Sequence, residues 1–130
     1  GSQQSCMGRI RGDGVKAVPT EQRQMIDEAR LGQALRYLAT TDNECAELRT
    51  EMERCEFRAK VIKDAIFKRL EGSVADRQAE AGSSGEYGAA MDDYFSAMQQ
   101  YEAMRNKRGT EVIIVEAWRS LNAGRRQGNI

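Results

Sequence analysis

The chain contains no histidine. That absence removes the commonest general base, the usual base of a nucleophile triad and the most frequent zinc ligand, so neither hydrolase nor zinc chemistry is expected. Proline is nearly missing too: Pro19 is the only one, and every residue after it is free to be helical. Aromatic residues make up 6% of the 130 residues, too few for a thick globular core. No apolar run approaches the roughly 20 residues that span a bilayer, and no basic start, apolar middle and small-residue cleavage site mark a signal peptide. The expectation is a soluble, cytoplasmic protein with no membrane partner. Cys6, Cys45 and Cys55 are an odd set, and the last two fall on an apolar stripe, where a reduced cysteine acts as a small hydrophobe. Net charge is zero, so no whole-protein attraction to nucleic acid is expected.

What the chain does have is heptad order. One stripe runs Cys45, Leu48, Met52, Cys55, Ala59, Ile62, Ile66, in alternating steps of three and four. A second runs Tyr87, Met91, Tyr94, Met98, Tyr101, then Arg105, Arg108, Val112 and Val115. Each stays on one helical face. The tyrosine and methionine portion reads as core, with methionine filling gaps.

Residues 1–19 read as a flexible arm with glycines at 8, 12 and 14, beginning in a cloning remnant, with Met7 as the natural start. Gly12 and Gly14 follow no strand and open no helix, which excludes a phosphate loop. Residues 20–130 read as one helical domain with helices over about 20–39, 41–70 and 84–123. Thr20 after Pro19 suggests a first N-cap. Thr41 with Glu44, and Ser83 with Glu86, have capping-box spacing. Residues 31, 38 and 45 nevertheless share a heptad position, so a continuous helix competes with the expected kink near 40–42. Glu71-Gly72-Ser73 ends the middle helix, and residues 73–81 can form a short helical piece. Val112-Ile113-Ile114-Val115 has strand composition, yet the heptad runs through it and no partner strand is in sight. The fold class expected is all-α: a long antiparallel helical hairpin, coiled-coil-like, with a short N-terminal helix before it.

Charge is unevenly placed. Residues 80–104 carry five acids and no base, whereas residues 105–130 carry six bases against Glu111 and Glu116. A basic helix end complements the macrodipole and needs no function. Arg105 and Arg108, however, occupy stripe positions. Either their stems cover apolar surface while their heads pair with Glu51, Glu53 or Glu56 of the facing helix, or the seam opens and offers guanidinium groups to phosphate. The close of the chain adds Trp118, Arg119, Arg125 and Arg126 around a glycine-containing tail read as unstructured. Aromatic rings beside arginines suit single-stranded nucleic acid, although Trp118 shares a heptad position with Ala90, Ala97 and Met104, which favours burial. Asp92 and Asp93 point about 100° apart on a helix and cannot jointly hold a metal.

The stretches EGSVADRQA, YEAMRNKRGT and AWRSLNAGRRQGNI, within Phe57–Ile130, resemble small helical proteins of tailed temperate bacteriophages, a group without an assigned activity. The resemblance covers a little over half the chain. It implies a setting near phage replication and recombination functions in a bacterial host cell, and carries over no catalytic residue or cofactor. The function expected is that of a non-enzymatic, homo-oligomeric accessory protein. It contacts DNA or a phage or host DNA-processing protein through Arg105, Lys107, Arg108, Trp118, Arg119, Arg125 and Arg126. The competing expectation is a protein–protein adaptor or an inhibitor of a host enzyme, acting through its helical faces or through the acidic 80–104 half as a nucleic-acid mimic.

Overall fold

The computed structural model describes residues 26–128, with the side chains of 125–128 left out. The expected arm, Cys6 and the Thr20 cap lie outside the described residues. Three helices follow in order: α1, Glu28–Arg69; α2, Val74–Gly82; and α3, Gly85–Gly128. At 1.5 Å per residue, α1 and α3 are each about 65 Å long. Three contacts fix their direction. Arg69 Nη2 lies 2.7 Å from Glu86 Oε1 at one end, Arg108 Nη1 donates to Thr41 Oγ1 at 2.7 Å, and Arg30 Nη2 donates to Glu111 Oε2 at 2.7 Å. The two helices are therefore antiparallel, and the hairpin is as expected.

Local signals explain the ends. Asp27 Oδ1 accepts from the Arg30 backbone N–H at 2.8 Å, and Glu28 sits in the first turn, where acids complement the dipole. Lys68 and Arg69 occupy the last turn. Beyond the Leu70 cap, Gly72 adopts φ +117°, a conformation that L side chains rarely take. Ser73 Oγ then caps α2 by accepting from the Asp76 N–H at 3.1 Å. A Cβ at Gly72 would meet nothing within 4 Å, so Gly72→Ala carries only the backbone penalty. It is expected to cost about 1–2 kcal/mol in a denaturant melt and to leave helix content unchanged.

Three expected boundaries differ. No break occurs at 40–42, and α1 runs through it as one helix. Thr41 Oγ1 donates to the Tyr37 carbonyl at 2.6 Å and Thr40 Oγ1 to the Arg36 carbonyl at 2.8 Å, so both hydroxyls are satisfied within the helix and neither caps a new one. The expected helices 20–39 and 41–70 are one element over the described residues. At the other junction the cap of α3 is Ser84, not Ser83: Ser84 Oγ accepts from the Tyr87 N–H at 3.2 Å. Ser83 instead donates its hydroxyl to the Ala79 carbonyl at 2.9 Å, closing α2. α3 also continues through Gly128, five residues past the expected end and into the stretch read as an unstructured tail, and residues 112–115 are helical.

The seam of α1 is the expected stripe, extended backwards. Leu31, Ala34, Leu38, Thr41, Cys45, Leu48, Met52, Cys55, Ala59, Ile62 and Ile66 are buried or half-buried in unbroken three-four order. The wholly inaccessible positions are alanines, Ala34, Ala59 and Ala81; Ile66, Cys55 and Ala90 are nearly so, and no larger side chain among the described residues is completely buried. Small residues let the helices approach closely. Cys55 is buried and its thiol donates to Glu51 Oε1 at 3.5 Å; burial first, and then the adjacent carboxylate, push that thiol above its ordinary value. Such a thiol is unreactive, as a core cysteine should be.

Candidate binding surface

All seven expected site residues lie on the second half of α3, and the helix sorts them. Arg105 is exposed and reaches Glu102 Oε2 on its own helix at 3.4 Å. Lys107 is exposed, with its ammonium 4.7 Å from the Tyr37 ring centroid. Arg108 turns inward. Its Nη1 donates to the Leu38 carbonyl at 2.8 Å and to Thr41 Oγ1 at 2.7 Å, while Nη2 reaches Asp42 Oδ1 at 3.3 Å. Neither arginine pairs with Glu51, Glu53 or Glu56, because those acids lie nearer the hairpin turn; Glu51 and Glu53 are held by Arg54 and Arg49. Trp118 is half-buried and Arg119 exposed. Arg125 and Arg126 belong to α3, but their side chains lie outside the described residues.

The expected stripe of α3 holds from Tyr87 to Tyr101, all five of whose members are half-buried. Past Tyr101 the buried row is a neighbouring one: Ala97, Tyr101, Met104, Arg108, Glu111, Val115, Trp118 and Asn122, again in three-four order. Arg105 and Val112 are therefore outside the seam. The physical reason is polar. Turning Arg108 and Glu111 inward gives each a partner on α1, namely Thr41, Leu38 and Asp42 for the first and Arg30 for the second. Buried polar groups are tolerated where they are hydrogen-bonded.

Glu111 is the group that sequence reasoning missed. It is 7% exposed, and Arg30 on the facing helix holds its carboxyl below the ordinary range through the 2.7 Å hydrogen bond, against the opposing effect of burial. The same bond raises the Arg30 guanidinium. A signal was present, since Glu111 continues the row of Ala90, Ala97, Met104 and Trp118. Within a seam, the two polar layers at Arg108 and Glu111 fix register, as a single polar core position does in coiled coils.

The remaining electrostatics also differ from a free basic end. Residues 57–69 of α1 carry five bases and one acid, and they lie beside the acidic start of α3. Arg69 pairs with Glu86, and the Lys63 ammonium sits 5.3 Å from the Tyr87 ring centroid. Two of the five acids are thus paired within the chain, Glu86 with Arg69 and Glu102 with Arg105. Among the described side chains of α3 the exposed bases are Arg105, Lys107 and Arg119, of which Arg105 and Arg119 share one row, two heptads apart and about 21 Å along the axis; Arg126 is the next heptad repeat in sequence. Among the described residues no three metal-ligating side chains converge, and no helix is long and apolar enough to cross a membrane. No family model, curated protein or solved structure matches the chain.

Proposed function

We propose that the chain is a non-enzymatic, cytoplasmic accessory protein of a bacteriophage that binds DNA through the exposed basic row of α3. The observation that carries this reading is the alignment of Arg105 and Arg119 on one face, continued in sequence by Arg126 and flanked by Lys107. Guanidinium groups held on one face of a rigid helix suit phosphates several nucleotides apart, which give affinity without sequence readout. Arg108 is not part of the contact: its guanidinium is spent on Thr41, the Leu38 carbonyl and Asp42. Trp118 is half-buried and offers little stacking surface. No cofactor enters the proposal.

The test is fluorescence anisotropy at low salt with short single- and double-stranded DNA. Binding is expected, and Arg105→Ala with Arg119→Ala is expected to weaken it by about tenfold or more. No binding to either form sinks the proposal.

A second reading has its own support. Leu35, Val112 and Ile113 are 50%, 42% and 65% exposed, and an adaptor or inhibitor would dock a partner on such helical faces. The nucleic-acid-mimic version of that reading is disfavoured, because the acidic 80–104 half already lies beside the basic half of α1. A nuclease-insensitive stoichiometric partner recovered together with failed DNA binding would select the adaptor reading.

A further inference from the structure

We propose that the outward face of α1 from Ala46 to Lys68 pairs with a second copy of this chain, antiparallel, about a two-fold axis beside Phe57. The face points away from α3. Phe57, at its centre, is 68% exposed, and Val61, one turn on, is 49% exposed. A phenylalanine at the outermost position of a helix is the kind of apolar side chain that a partner covers.

Charge selects the partner. On this face Glu47 and Glu53 outweigh Arg54 before Phe57, and Lys60 and Lys68 outweigh Asp64 after it. The sign changes at Phe57. A two-fold axis there lays the acidic half of one copy along the basic half of the other. A parallel arrangement, or one shifted by a few turns, opposes like charges.

The pairing holds residue by residue. In an antiparallel pair, residues nearly equidistant from the axis meet, and those on one edge of the face meet the same edge of the partner. Phe57 then meets its own copy. Glu53 meets Lys60 of the second copy, and Glu47 meets Lys68 on the other edge. Thr50 meets Asp64, and Arg54 meets Val61 on the edge that Glu47 and Lys68 share. Glu47, Glu53, Lys60, Asp64 and Lys68 are all exposed. The short helix α2 runs beside residues 60–67, sharing a groove with Lys60, Lys63, Asp64 and Phe67, and still leaves Lys60, Val61, Asp64 and Lys68 exposed. Glu53 at present lies 3.4 Å from Arg49, both about 60% exposed, and an exposed pair of that kind is exchanged at little cost. The proposal stands apart from the DNA reading, since neither Arg105 nor Arg119 lies on this face.

Sedimentation equilibrium of the full chain tests it. The wild type is expected to dimerise with a dissociation constant of about 100 µM or tighter, weakening as salt rises. Phe57→Glu puts two carboxylates at the axis and is expected to weaken association at least tenfold with unchanged helix content by circular dichroism. Glu53→Lys opposes Lys60 and is expected to weaken it also, whereas Glu53→Lys with Lys60→Glu restores the pairing. A wild type that stays monomeric at several times that concentration, or a dimer indifferent to Phe57→Glu, overturns the proposal. A double exchange that fails to restore association overturns the register.

Discussion

Ala59→Arg is expected to abolish the hairpin. Ala59 is 1% exposed, in the stretch where Cys55 and Ile66 are also buried. Arginine there adds volume to a tightly packed crossing and brings an unpaired charge out of water. Together these are expected to cost about 4 kcal/mol or more. A domain of this kind has only about 5–15 kcal/mol in hand, and a two-layer core built of small residues sits at the lower end. Far-UV circular dichroism at 25 °C should show most of the helix signal lost. Ala65→Arg, on an exposed position of the same helix, should stay within about 0.5 kcal/mol of the wild type. Equal effects of the two substitutions would mean that the seam is misassigned.

The second large effect is an asymmetry. Arg30→Met should lower the melting temperature by roughly 10 °C, and Glu111→Leu by less than half as much, although both remove the same 2.7 Å pair. The side chain of Arg30 is 32% exposed and that of Glu111 10%. Left alone, the guanidinium can swing into water; the carboxylate cannot. The double variant Arg30→Met with Glu111→Leu should recover most of the loss, because a well-packed apolar pair replaces a buried ionic one at little cost. Acid sensitivity follows from the same carboxyl. Its folded value lies below the ordinary one, chiefly through the Arg30 hydrogen bond. Its contribution to stability is therefore complete above the unfolded value of about 4.3, and is lost as pH falls through the lower folded value. Between about pH 5 and pH 2 the wild type should lose melting temperature more steeply than Glu111→Leu.

The α1 seam and the hairpin were legible because apolar spacing is a direct record of which face is buried. The rest depended on partners. Thr41 looked like a helix start until its hydroxyl found the Tyr37 carbonyl. Ser83 and Ser84 are chemically equivalent as caps, and only the path of the chain decides between them. Three-four spacing carried on from Tyr101 passes through Arg105 and Val112 and so runs one row off the observed seam of α3, which holds Met104 and Glu111. The shift comes from Arg30, Thr41 and the Leu38 carbonyl, which satisfy Glu111 and Arg108 from the facing helix. Of the candidate site, the basic second half of α3 was legible as a region. The separation of exposed Arg105 and Arg119 from inward Arg108 was not.

The salt dependence of duplex binding measures that separation most directly. With Arg105, Lys107 and Arg119 exposed on α3 and Arg125 and Arg126 continuing it in sequence, this surface should contribute about −4.5 to the slope of log affinity against log salt. Arg105→Ala with Arg119→Ala should reduce its magnitude by nearly 2, while Arg108→Ala should lower the melting temperature and leave the slope unchanged. A slope that falls with Arg108→Ala and ignores Arg105 and Arg119 would contradict the arrangement.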